Sequence, residues 1–170
     1  MSIEFMVIGA PRSGTAWCAN WLTTQDTLCL HDMLFRHTPE DLDKIPCTRT
    51  LGLADSGLWR FPEWVAAHPA KKVILHRRDS EIRDSLRRAG LPDVDPGCWR
   101  ALHDMVGLHI DWRVLFDGPE MVHHYLFGNK PVDLERHTLL THLNVQADFE
   151  KIDPDPAVTR KLLERMRVAQ

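Results

Sequence analysis

The segment Gly9-Ala10-Pro11-Arg12-Ser13-Gly14-Thr15-Ala16-Trp17 has the residue types of an anion cradle. The apolar run Phe5 to Ile8 precedes it, and a helical pattern follows from about Thr15 to Thr23. A strand, a glycine-bracketed turn and a helix start aim several backbone N–H groups at one point, together with the positive end of the helix dipole. Arg12 adds a fixed positive charge at that point. A phosphate or sulfate is the matching ligand.

A Walker loop needs Gly, four residues, then Gly-Lys followed by Ser or Thr. Gly9 and Gly14 have that separation, but Thr15 stands where Lys should be and Ala16 where the Ser or Thr should be. The lysine that reaches the outer phosphates is missing, and so is the hydroxyl that holds Mg²⁺. The loop keeps the cradle without the metal.

A second group lies downstream. The strand-like run Val73 to His76 is followed by Arg77, Glu81 and Ser85 at equal four-residue steps. On a helix over Asp79 to Ala89, Ser85 shares the inward face with Ile82, Leu86 and Ala89. Its hydroxyl can then meet the same anion as Arg77 at the strand end; Arg78 is the alternative, one residue away in register. The other charges of this helix read as a solvated face, with Asp79–Arg83 and Asp84–Arg88 as i,i+4 pairs. Interleaved acids and the lack of stacking aromatics in the segment argue against a nucleic-acid patch.

The loop Pro11 to Trp17 resembles the 5′-phosphosulfate loop of the sulfotransferases: Pro, Lys or Arg, Ser, Gly, Thr, Thr or Ser, Trp. Arg77, Glu81 and Ser85 are similar to that family's 3′-phosphate motif and follow in the same order. The resemblance implies a P-loop nucleotide-binding fold. It also implies a metal-independent transfer of a sulfuryl group from 3′-phosphoadenosine-5′-phosphosulfate (PAPS) to an acceptor hydroxyl or amine. Adenosine 3′,5′-bisphosphate would be the product. Pro11, Arg12, Ser13, Gly14, Thr15, Ala16 and Trp17 would bind the 5′ end, with Arg12 stabilising the leaving phosphate. Arg77 and Ser85 would take the 3′-phosphate. Trp17 would lie against the adenine, or else serve as a core tryptophan. Ala16 departs from the family's Thr or Ser, and no Arg-Lys-Gly stretch stands in the second half, so a weaker hold on the nucleotide is expected.

The acceptor needs a general base. Many of these enzymes use a His near the end of the third strand. Here that strand ends Ala54-Asp55-Ser56, so Asp55 is one candidate, and the hydroxyl of Ser56 stands at the same strand end. His31, at the end of the second strand, is another, with Asp32 beside it. Burial would have to raise an aspartate's pKa, whereas a histidine needs no such tuning. Two other functions stay open: a P-loop kinase-like phosphotransferase, and a non-catalytic nucleotide binder of the same fold.

Several elements must position these residues. Strands are expected at Glu4–Gly9, Leu28–Leu30, Thr50–Ala54, Lys72–His76 and Met121–Phe127. Thr38-Pro39-Glu40 reads as a helix start. Leu58–Ala67 reads as a helix with Trp59, Val65 and Ala66 in the core. Trp99, Leu102, Val106, Ile110 and Val114 make one helical stripe, and Val132–Leu143 and Pro156–Val168 close the pattern. Alternating strands and helices predict an α/β fold: a single three-layer domain with a mainly parallel sheet of about five strands. In such sheets the site lies at the strands' carboxyl ends.

At 170 residues the chain has the length of one domain. A net charge of -3 gives no general attraction to nucleic acid or acidic membranes. Cys18, Cys29, Cys47 and Cys98 lack metal-binding spacing and read as reduced thiols of a cytoplasmic protein. No signal peptide or membrane span is expected from so short an N-terminal apolar run. The ten histidines, with His123-His124 the one adjacent pair, suggest no metal. A nucleotide cosubstrate and an acceptor are the expected partners; oligomeric state is left open.

Overall fold

The computed structural model describes residues 3–143, so the helix expected at Pro156–Val168 lies outside the described residues. Five strands form one all-parallel sheet: β1 (Phe5–Gly9), β2 (Thr27–His31), β3 (Thr50–Asp55), β4 (Lys71–His76) and β5 (Leu108–Asp111). Their spatial order is β2-β3-β1-β4-β5. β1 is central because both its faces are apolar. Phe5 and Val7 pack into one core, Met6 and Ile8 into the other.

Helices cover both faces, which makes the three-layer α/β domain expected. On the Phe5 and Val7 face lie α1 (Thr15–Leu22), α5 (Val114–Asp117) and α6 (Pro119–Phe127). The opposite face carries α3 (Pro62–Ala67), α4 (Asp79–Arg88) and a 3₁₀ stretch at Pro96–Asp104. Thr38 caps the short helix α2 (Pro39–Leu42) through a capping box with Asp41, and a last helix, α7, runs over Leu134–Leu143.

Three expectations need correction. The fifth strand is Leu108–Asp111, and Met121–Phe127 belongs to α6. Pro119 starts that helix and Gly128, at φ 67°, follows its end. Pro119, Val122 and Leu126 are its buried residues, at helical and not alternating spacing. The helical stripe from Trp99 to Val114 breaks at Met105, which is extended. Beyond it Ile110 is buried between exposed His109 and Asp111, the two-residue period of a strand. Third, Leu58–Ala67 divides into a 3₁₀ turn at Leu58–Arg60 and α3, and Ala66 faces solvent while Trp59 and Val65 pack on the core.

On α4 the ion pairing also differs. Asp84 meets Arg87 at 3.1 Å, and Asp79 accepts a hydrogen bond from Trp99 Nε1 at 3.1 Å. The four cysteines are free. No helix among the described residues is long and apolar enough to cross a membrane.

Candidate functional site

Parallel pairing puts Gly9, His31, Asp55, His76 and Asp111 at one edge of the sheet. Connections leave β1 towards β2 on one side and reach β4 on the other, so a crevice opens beyond β1. A cavity of about 880 Å³ lies there, lined by Arg12, Thr15, His31, Arg77 and Ser85 among others.

The loop after β1 is a tight turn. Ser13 N–H donates to Ala10 O at 3.2 Å, and both Arg12 (φ 67°) and Gly14 (φ 96°) are left-handed. Left-handed geometry is ordinary for glycine and strained for arginine, at about 1–2 kcal/mol. The first α-helical bond of α1 runs from Cys18 N–H to Gly14 O at 2.9 Å. The amides of Thr15, Ala16 and Trp17 therefore precede the first amide that donates within the helix, and Pro11, Gly14, Thr15 and Ala16 line the cavity.

The two segments picked out from the sequence meet at Arg12. Its Nε donates to the Ser85 hydroxyl at 3.1 Å, and Arg77 donates to its backbone carbonyl. Arg77 also lies 4.1 Å from the Trp112 ring centroid and 3.8 Å from a Glu81 oxygen. Glu81 in turn pairs with Arg113 and accepts from Trp112 Nε1 at 3.4 Å. Arg77, and not exposed Arg78, is the residue brought to the cavity. Burial, then the charge of Arg88, lowers the pKa of Arg12; Arg77 is lowered first by burial, with Glu81 opposing. Arg12, Arg77 and Arg88 all line the cavity, so cationic charge converges there.

Trp17 is 4% exposed and packs on Trp21, Phe116 and His137, with ring centroids 5.3, 4.9 and 5.1 Å away. It is a core side chain with an edge on the cavity. Ser13 is fully buried and outside the cavity lining; its hydroxyl has no hydrogen-bond partner among the described residues.

The base candidates separate. His31 and Asp32 line the cavity and Asp55 does not. His31 Nε2 lies 3.3 Å from the Thr15 hydroxyl and 3.3 Å from Asp32 Oδ2. The Asp32 carboxylate accepts from Ser56 N–H at 2.8 Å and from the Ser56 hydroxyl at 3.0 Å. Burial lowers the His31 pKa and the Asp32 charge partly restores it. Asp55 is 2% exposed, accepting from Leu34 N–H at 3.0 Å and Gly57 N–H at 2.7 Å. Burial pushes its pKa up to about 6, against those two hydrogen bonds. It staples two loops and is not among the residues that line the cavity.

Sequence reasoning passed over Trp112 and Phe116 and gave Arg88 to a solvated face as the partner of Asp84; all three line the cavity. Trp112 follows β5 directly, so a correct fifth strand would have placed it at the site edge. Among the described residues no group of three or more His, Cys, Asp or Glu is arranged to hold a metal. Comparison of the chain with protein families, curated proteins and solved structures finds no match in any of the three.

Proposed function

We propose that this chain is a small, metal-independent sulfotransferase that uses PAPS as the sulfuryl donor. One observation carries the proposal: the loop residue Arg12 receives both Ser85 and Arg77 from the second segment. The two segments that resemble the motifs of that family thereby share one cavity. That cavity gathers three guanidinium groups, which suits a nucleotide with phosphates at both ends of its ribose. A kinase-like site would need a substitute for the missing lysine and for the Mg²⁺ ligand, and the loop supplies neither at those two positions.

The residues divide the work as follows. The amides of Thr15 and Ala16 and the α1 dipole hold the 5′-phosphate. Arg12 neutralises the charge that grows on that phosphate as the sulfur–oxygen bond breaks. Arg77 and Arg88 hold the 3′-phosphate. His31 takes the acceptor's hydroxyl proton while the acceptor oxygen bonds to sulfur; the electron pair of the broken bond stays on the 5′-phosphate oxygen. Asp32 stabilises the imidazolium that results.

Thermal unfolding with adenosine 3′,5′-bisphosphate, without Mg²⁺, tests this. A ligand at about a hundredfold excess over Kd adds roughly 2.7 kcal/mol, a rise of a few degrees in Tm. No rise with this nucleotide, alongside a rise with ATP and Mg²⁺, would replace the proposal with the phosphotransferase. Binding without turnover over a broad acceptor panel would favour a non-catalytic binder.

A further inference from the structure

Both polar contacts of the His31 ring fall on one nitrogen. Nε2 lies 3.3 Å from the Thr15 hydroxyl and 3.3 Å from Asp32 Oδ2. Among the described residues no partner meets Nδ1, and Nδ1 is not one of the enclosed polar atoms. The ring lines the cavity, so Nδ1 is the nitrogen that a ligand can reach.

The two neighbours of Nε2 differ in what they offer. A carboxylate only accepts, so Asp32 favours a hydrogen on Nε2. Its Oδ1 takes the Ser56 N–H and the Ser56 hydroxyl, which leaves Oδ2 to the imidazole. Its own N–H is tied to Ala54 O at 3.2 Å, so the carboxylate is fixed from both ends. A hydroxyl donates as well as accepts. When Thr15 gives its hydrogen to Nε2, the ring carries its hydrogen on Nδ1 and presents no lone pair to a ligand. When Thr15 gives its hydrogen elsewhere, Nε2 keeps one, shared between Thr15 and Asp32, and the Nδ1 lone pair is free to act. Thr15 is 4% exposed and opens α1, so an anion on the loop beside it is the natural second acceptor.

We infer that Thr15 is a positioning residue: an anion seated on the loop takes its hydroxyl hydrogen and thereby sets His31 in the tautomer that works as a base through Nδ1. The inference rests on the sulfotransferase proposal and adds which atom acts and what arms it. The acceptor's O–H bond breaks towards Nδ1, and its electron pair stays on the acceptor oxygen as that oxygen bonds to sulfur. The imidazolium keeps its Nε2–H against Asp32. Before the donor arrives the base is idle, so the acceptor is activated only once the sulfuryl group is in place.

The test uses the full chain labelled with ¹⁵N at about pH 8, where a histidine is neutral. Two-bond ¹H–¹⁵N spectra report which ring nitrogen carries the hydrogen. Saturating adenosine 3′,5′-bisphosphate should raise the ratio of the Nε2–H to the Nδ1–H tautomer by about tenfold, the worth of one hydrogen bond. Thr15→Val should hold His31 as Nε2–H with and without the nucleotide, and Thr15→Ser, which keeps the hydroxyl, should retain the response. A merely structural role for Thr15 would leave the tautomer unmoved. If calorimetry shows the nucleotide bound while the wild-type tautomer does not change, the inference is overturned and the sulfotransferase proposal stands. A nucleotide response that survives in Thr15→Val has the same meaning. Failure of the nucleotide to bind removes the proposal and the inference together.

Discussion

Arg12 and Ser85 stand 73 residues apart in sequence and are joined by a 3.1 Å hydrogen bond. The bond fixes the guanidinium of a left-handed loop residue to the buried face of α4. The sequence expectation set Ser85 beside Arg77 on a 3′-phosphate; the structure shows its hydroxyl accepting from Arg12, the residue that the proposed function puts at the 5′-phosphate. In the proposed transfer, positioning is the larger part of catalysis, since a misplaced charge stabilises the wrong state.

Ser85→Ala should therefore separate binding from stability. Alanine is the better helix former and the hydroxyl makes one known contact, so unfolding free energy should change by less than about 1 kcal/mol. Affinity for adenosine 3′,5′-bisphosphate should fall by about tenfold, as a charge-assisted contact of roughly 1.5 kcal/mol implies. Urea unfolding and calorimetric titration on the same preparations read the two effects.

His31 should show a lowered pKa in a ¹H NMR titration, below its ordinary 6.5, because burial outweighs the Asp32 charge. A general base works unprotonated, so turnover should rise with pH through that lowered value and level off near neutrality. Asp32→Asn removes the charge that favours the imidazolium, so both the NMR midpoint and the rising limb should move to lower pH. If the limb stays in place, His31 is not the base.

The legible parts share a physical cause. β1 to β4 are buried apolar runs, and such runs announce themselves without tertiary information. The tight loop after β1 is legible because a strand, a turn and a helix start are all local. β5 is an edge strand with one buried residue, Ile110, so nothing local outweighed the helical stripe drawn through it. Its loss took Trp112 and the cavity's aromatic wall with it. Asp55 stands at the expected strand end, but the direction of its carboxylate is set by the amides of Leu34 and Gly57. Whether an aspartate at a strand end becomes a base or a staple depends on the loops that fold over it, and their composition does not fix those loops.

Asp55 should leave a signature in stability against pH. Its pKa rises from 3.8 unfolded to about 6 folded, so the folded state holds its proton longer. Folding therefore gains from this group at low pH. The gain disappears as pH rises from about 4 to about 6, by roughly 2–3 kcal/mol in all. Asp55→Asn removes the titration. Its amide group can accept from only one of the two N–H donors, leaving the other opposed at about 1–3 kcal/mol. The variant should be least stable relative to the wild type near pH 4, and the gap should narrow towards neutrality. Equilibrium urea unfolding across that range measures it.

Gly52→Ala tests the packing that places β1 at the centre. A Cβ on Gly52 would fall inside the ring of Phe5, its register partner on β1. Phe5 is 1% exposed and makes an edge contact with Phe127 at 5.3 Å, so the ring cannot swing aside. Overpacking at such a point should lower stability by about 3 kcal/mol, seen as a lower urea midpoint with an unchanged slope. Phe5→Leu alone also destabilises, through the cavity it leaves. Combined, the two changes should relieve each other, because the shorter side chain vacates the space the new methyl needs. The double variant should exceed the additive expectation by at least about 1 kcal/mol. Strict additivity would mean that the ring and the glycine do not share that space, and that β1 owes its central position to other contacts.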